Sequence, residues 1–364
     1  MVGPVRVKRK RATVGIALPV AHYPQVDELA DRLRLAVGSV PGVDEVEVES
    51  TVMEEEPRAR LRMLLRGEAV EGGTQHAADE GHDHGHDHGA QLGHEEGRPN
   101  RFMLPRSKTR ILGISSGKGG VGKSSVTVNM AVSLARMGYD VGILDADVYG
   151  FSVPKMLGIT TDPLIIGDLV VPPTANGVRC LSMGYFVPDD TPVIWRGPML
   201  HKALEQFLVD AYWGEPDFLL IDMPPGTGDV TLSLGQYLTK TEVYVVTTPQ
   251  PAAERVAQRS AYAARKLKLA VRGVIENMSW FTGDDGKRYE LFGAGGGRQL
   301  ADELGVPLLS QVPLVASLRQ GGDDGVPVMV ADPDSEVAGV FDRLATAVVE
   351  LGPARVYRKE LTVR

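Results

Sequence analysis

The chain carries one cysteine, Cys180, in 364 residues. A single thiol excludes an internal disulfide and suits a reducing compartment, so the expected location is the cytoplasm. Positive charge is also in short supply: 39 Lys and Arg stand against 47 Asp and Glu, a formal net charge of −8. That balance argues against a nucleic-acid partner, which asks for a basic face. No apolar run approaches the roughly 20 residues of a membrane-spanning helix, so no membrane partner is expected. The opening stretch VRVKRKRATVGIALPV is basic, then briefly apolar, and is broken by Pro19. It reads as the start of a strand rather than a leader. What is present is ordinary for a globular protein: 43% hydrophobic and 24% charged residues, in a chain long enough for one large domain and a smaller one.

Residues 12–18 read as a strand. In QVDELADRLRLAVGSV the apolar positions Val26, Leu29, Leu33 and Val37 fall at helical spacing, and VDEVEVES alternates apolar with acidic residues at strand period. Residues 1–66 are therefore expected to form a small βαβ domain. Its basic cluster, Arg6 and Lys8 to Arg11, reads as a solvated edge, with contact to an acidic partner as the other reading. Residues 67–106 are rich in Gly, His and acidic side chains and poor in large apolar ones. Such a segment buries too little surface to offset its ordering entropy, so a disordered linker is expected. From Ser107 apolar strands alternate with amphipathic helices. The strands are RILGISS, DVGILDA, DFLLIDM, EVYVVTT, VRGVIEN and VPLLSQVP, with helices such as KSSVTVNMAVSLARMG and PAAERVAQRSAYAARKLK between them. This alternation predicts an α/β, doubly wound, mostly parallel sheet over residues 107–352, followed by a charged tail, 353–364.

GKGGVGKS, Gly117 to Ser124, fits G-x-x-x-x-G-K-[ST] and lies between an apolar strand and a helix, the context that motif requires. Gly117, Gly119, Gly120, Val121 and Gly122 would supply backbone N–H groups to phosphate oxygens, with Ser125 at the opening of the helix. Lys123 would bridge the β- and γ-phosphates and Ser124 would ligate Mg²⁺. Two later strands end in carboxylates, where doubly wound sheets place ligand chemistry. Asp145 and Asp147 stand two apart, so an extended chain would turn both to one side. Asp222 closes DFLLID and would hold Mg²⁺ with Ser124 and Asp145. Gly226 stands where a backbone N–H could sense the γ-phosphate. ENMSW contains an asparagine but lacks the lysine and aspartate of a guanine-reading motif, so ATP is the expected nucleotide.

Together KGGVGKS, LDADVYG, WRGPML, DMPPGTGDV and GVIENMS resemble the Mrp/ApbC ATPases, part of the deviant Walker A group that includes MinD and the nitrogenase iron protein. The resemblance runs from about Ser107 to Pro333. It implies that Lys118 reaches across a homodimer interface to the partner's nucleotide. It also implies that Asp147 positions the attacking water, that Asn277 reads the adenine edge and that Pro313 lies in a loop near the base. The family is implicated in assembling iron–sulfur clusters and passing them to apoprotein clients. Its cluster is held by a C-x-x-C pair after the ENMS segment; by alignment of the flanking segments this chain has Gly283 and Gly286 there. Glycine offers iron no side-chain ligand. The first segment looks like the small domain often fused ahead of the ATPase, cut short at its start, with Tyr23 where a cysteine is often seen.

Cys180, in GVRCLSMGYF, reads as a buried structural thiol. Six of the eight histidines fall between His76 and His94, and His82, His84, His86 and His88 alternate with Asp or Gly. Imidazoles suit zinc, copper or nickel; a metal store and a solvated linker without a metal function are both open readings. The expected function is a Mg-dependent ATPase homodimer of the Mrp/ApbC type acting in iron–sulfur or metal-centre assembly. The alternatives are an ATP-gated adaptor without a cluster, and a nickel or zinc metallochaperone using the His tract.

Overall fold

The computed structural model describes residues 2–21, 23, 26–66, 100–148, 150–186, 197–226 and 228–354. The His82–His88 tract and the tail beyond residue 354 lie outside the described residues. Contacts divide the chain into two compact units, Met1–Glu95 with Leu164–Val171, and Glu96–Pro163 with Pro172–Arg364.

The first unit begins with β1 (Val2–Lys8), β2 (Arg11–Leu18), α1 (Val26–Gly38), β3 (Glu45–Val52) and α2 (Glu55–Arg66). β2 and β3 run parallel across α1, forming the βαβ element the periodicity indicates. β1 adds an antiparallel strand through a tight turn at Arg9 and Lys10, both with positive φ. Alternation along β2 is strict: Ala12, Val14, Ile16 and Leu18 are buried.

The second unit continues with β4 (Arg110–Ser116), α3 (Lys123–Arg136), β5 (Val141–Asp145) and α4 (Val153–Met156). A short hairpin, β6 (Leu164–Ile166) and β7 (Leu169–Val171), groups with the first unit, where its Asp168 pairs with Arg66 at 2.5 Å. There follow β8 (Thr174–Ala175), β9 (Val178–Ser182), α5 (Gly197–Val209), β10 (Phe218–Asp222), α6 (Asp229–Tyr237), β11 (Glu242–Thr247) and α7 (Pro251–Lys266). The chain then forms β12 (Ala270–Asn277), β13 (Phe281–Thr282), β14 (Arg288–Tyr289), α8 (Gly296–Leu304), β15 (Leu308–Val312), α9 (Ala316–Asp324), α10 (Val328–Ala331) and α11 (Glu336–Glu350).

Eight strands make one sheet in the order β15-β12-β11-β4-β10-β5-β9-β8, parallel throughout except for β8 at its edge. The strands are near-continuous apolar runs because helices cover both faces. Ile114, Val126, Met130, Phe341 and Leu344 pack on one face under α3 and α11. Val243, Val245, Ala257, Ala261, Leu300 and Leu304 pack on the other under α7 and α8. This is the α/β, doubly wound sheet read from the sequence. β4 lies between β10 and β11, so the loop leaving β4 opens at the carboxyl edge, where such sheets bind ligands. Among the described residues no helix is long and apolar enough to cross a membrane.

Candidate functional site

The helix α3 starts without a cap. Its N-cap residue, Gly122, has φ +79° and contributes no side-chain hydrogen bond. The first-turn N–H groups of a 14-residue helix are therefore left for an incoming acceptor. Gly120 also has positive φ, and a Cβ added at Gly119 or Gly120 would meet open space. At Gly117 a Cβ would lie 2.2 Å from the Ala257 backbone nitrogen, so only glycine lets the loop approach α7. A cavity of about 370 Å³ covers this loop, lined also by Lys118, Lys123, Asp147 and Pro225. A larger cavity of about 680 Å³ adjoins it beyond Ser152, with Lys155, Tyr185 and Asp324 in its walls. That one has neither the glycine loop nor Lys123, so the smaller cavity is the candidate phosphate site.

Lys123 is only 6% exposed and is balanced by two carboxylates. Its Nζ lies 2.7 Å from Asp222 Oδ2 and 3.7 Å from Asp147 Oδ2. Asp222, at the end of β10, also accepts from Ser124 Oγ at 2.6 Å and Thr127 Oγ1 at 2.8 Å. The structure thus gathers Lys123, Ser124, Asp147 and Asp222 at one point. A buried acid set that outnumbers its lysine fits a divalent cation, and the Ser124 hydroxyl with the Asp222 carboxylate is an oxygen donor set suited to Mg²⁺.

Asp145 is engaged by the loop that follows it. β5 ends at Asp145, and Asp147 N–H turns back to donate to Asp145 Oδ1 at 3.2 Å. Asp145 Oδ2 accepts from the N–H groups of Ser152 and Val153 at 3.1 and 3.2 Å and from Ser182 Oγ at 3.1 Å. Its oxygens hold the following loop to β9, and Asp222 and Lys123 lie near enough to act on its charge. Burial pushes this carboxyl from 3.8 up to about 7, and the nearby Asp222 charge adds to the rise. The folded state therefore keeps a proton that the unfolded chain releases, so the stability this group contributes falls as pH rises from about 4 to about 7. Calorimetry of the nucleotide-free protein should show the Asp145→Asn variant losing less thermal stability between pH 6 and pH 7.5 than wild type. Equal losses would assign that pH dependence to other groups.

Gly226 (φ +85°) donates its N–H to the Ser116 carbonyl at 2.8 Å, so in this state the group expected to sense a γ-phosphate is already used. Lys118 Nζ lies 3.4 Å from Gln250 Oε1 of the same chain. That neighbour is 132 residues away in sequence, beyond the reach of local pattern. Asn277, 2% exposed at the end of β12, donates Nδ2 to the Val121 carbonyl at 2.9 Å. Its Oδ1 is buried with no partner. This pairing ties the end of β12 to the glycine loop and leaves an acceptor for a ligand's N–H. Pro313 is buried directly after β15, where Ser279 N–H donates to Val312 and Leu314 N–H to Trp280, beside Asn277.

Gly283 and Gly286 bracket the turn of the β13–β14 hairpin. Gly283 N–H donates to Lys287 and Gly286 N–H to Gly283, each at 2.9 Å. Gly286 has φ +74°, and a Cβ on Gly283 would come within 2.9 Å of the Tyr289 ring. Asp285 fastens the turn, accepting from Lys287 N–H at 3.1 Å and from Tyr289 Oη at 2.9 Å. The local structure is a glycine–aspartate turn that disfavours side chains at both positions. Tyr23 precedes α1, its carbonyl accepting from Val26 N–H. Cys180 is fully buried, and burial pushes its thiol well up. Among the described residues no group of three or more His, Cys, Asp or Glu side chains is arranged to hold a metal ion.

An uncapped helix after a glycine loop, a buried lysine and strand-end carboxylates, set in a doubly wound parallel sheet, define a P-loop nucleotide-binding protein. A family model described as the NUBPL iron-transfer P-loop NTPase, in the ParA group, matches residues 107–349. The chain belongs to this iron-transfer P-loop NTPase family, as the motif resemblance implies. An iron–sulfur cluster carrier protein of Mycobacterium leprae is 42% identical over 338 residues, 91% of this chain and 82% of that protein. One of Bacillus subtilis is 51% identical over 205 residues, 56% of this chain and 58% of that protein. Among solved structures, a nucleotide-binding protein of Archaeoglobus fulgidus in complex with ADP aligns with TM-score 0.56 and 32% identity, covering 64% of this chain and 93% of that one. MinD of Pyrococcus horikoshii with Mg-ADP aligns with TM-score 0.51 and 26% identity, covering 67% and 97%.

Proposed function

We propose that the chain is a Mg-dependent, ATP-binding and ATP-hydrolysing homodimer of the cytoplasm that assists assembly of iron–sulfur clusters, or of another metal centre, and their transfer to apoproteins. The observation that best supports this reading is the uncapped start of α3 facing Lys123, Ser124, Asp147 and Asp222. The α3 N–H groups and Lys123 would take the β- and γ-phosphate oxygens, freeing Asp222 from its lysine. Ser124 and Asp222 would hold Mg²⁺, which neutralises phosphate charge, with Asp145 fixing the loop behind them. Asp147, beside Lys123, would orient the attacking water. Asn277 Oδ1 would accept from the adenine amine, with Pro313 alongside. Lys118 would leave Gln250 and reach the partner subunit's nucleotide, where a second cation lowers the cost of charge developing in phosphoryl transfer. Once released from Ser116, Gly226 N–H would report the γ-phosphate.

A second reading, an ATP-gated adaptor that carries no cluster of its own, is favoured by the Gly283–Gly286 turn. The metallochaperone reading rests on His82, His84, His86 and His88, outside the described residues. Phosphate release from ATP in Mg²⁺, abolished by chelation, supports the ATPase; no release in either condition overturns it. Anaerobic reconstitution with iron and sulfide separates the two readings. The adaptor should show no cluster absorption, and a stable stoichiometric cluster on the wild-type chain would contradict it.

A further inference from the structure

Glu276 is the last residue but one of β12 and is 1% exposed. Its partners among the described residues are neutral donors. Oε2 accepts from Gly297 N–H at 2.6 Å, and Oε1 from Gln311 Nε2 at 2.7 Å. The Ser279 hydroxyl lies 3.0 Å from both Oε1 and the Glu276 carbonyl oxygen, one proton facing two acceptors. A carboxylate so buried and without a cationic partner is costly, and three converging donors with the start of α8 are what offset it. The approach is close: a Cβ on Gly297 would sit 2.7 Å from Glu276 Cβ.

What this clamp secures is a strained turn. Met278, between Asn277 and Ser279, has φ +58°, a left-handed conformation unfavourable for a long side chain. Ser279 fixes its far end through Glu276 and through its own N–H on Val312 at 2.9 Å. The near end is Asn277, whose nitrogen is tied to Val121 and whose oxygen alone is orphaned. Orientation of that amide decides the chemistry offered. A free oxygen takes an exocyclic amine, as on adenine; a free nitrogen would take a carbonyl, as on guanine.

We propose that Glu276 is a positioning residue for base recognition: its carboxylate locks the Asn277–Met278–Ser279 turn so that Asn277 presents oxygen, and the site selects a purine with an amine rather than a carbonyl at its 6-position. The proposal rests on the reading that the cavity over the glycine loop takes ATP. Its test is titration calorimetry of the full chain with ATP, GTP and inorganic tripolyphosphate, each with Mg²⁺. Wild type, Glu276→Gln and Ser279→Ala are compared; the last keeps the carboxylate's bonds to Gly297 and Gln311 and so guards against misfolding. The ATP-over-GTP preference should fall about tenfold in Glu276→Gln and shift the same way, by less, in Ser279→Ala, with tripolyphosphate affinity unchanged. A merely structural role would weaken all three ligands in parallel, and an unchanged ratio in both variants overturns the proposal. Failure of the wild-type chain to bind ATP at all would instead remove the reading beneath it.

Discussion

Lys123→Ala is expected to lower ATP affinity at least about 100-fold, since it removes two charge-assisted hydrogen bonds to the phosphates. Among the described residues that line the cavity, Lys118 is the one other cation, and its proposed role is in the partner subunit's site. The substitution also leaves Asp222 buried without its cation, so part of the loss falls on stability. Calorimetric titration and the unfolding midpoint should therefore be recorded on the same sample. ATP affinity within a few-fold of wild type would mean that the phosphates bind elsewhere.

Lys118→Ala should do the opposite. Lys118 is half-buried, and its recorded partner, Gln250, is a 3.4 Å contact, so removing it costs the fold little. Its proposed work is confined to the transition state, in another subunit's site. ATP affinity should stay within about threefold of wild type while turnover drops on the order of 1000-fold, the scale of a trans-acting cation. Steady-state kinetics would show the loss in kcat. Turnover equal to wild type would dispose of the trans-lysine mechanism.

Much of this site was legible because its parts are local. Loop, lysine and hydroxyl sit in eight consecutive residues, and Asp222 ends an unbroken apolar strand. The rest depends on contacts that only folding makes. Asp145 is claimed by Ser182 and by the loop at Ser152, and no spacing rule puts those donors on it. β5 stops at Asp145, so Asp147 lies beyond the extended chain on which the two-residue rule depends. Lys118 and Gln250 meet through the neighbouring strands β4 and β11. Glu276 did leave a signal, a lone acid inside the apolar run VRGVIEN, which in a two-sided buried strand demands partners. The opening stretch reads as the start of a strand, but the separate strand β1 ahead of residues 12–18 overlaps the basic cluster and is not marked off from it by pattern. The β13–β14 hairpin has two residues per strand, too short for periodicity to mark.

The central claim is that one subunit completes its partner's active site, and mixing two disabled variants tests it most directly. Lys118→Ala keeps Lys123 and Asp147 but lacks the lysine it would lend. Asp147→Ala should bind ATP and still lend Lys118, though its own water is unplaced. Each alone should be nearly inactive. An equimolar mixture should recover about a quarter of wild-type turnover, because half the dimers are mixed and each holds one complete site. A mixture no more active than the two variants measured apart would contradict the account.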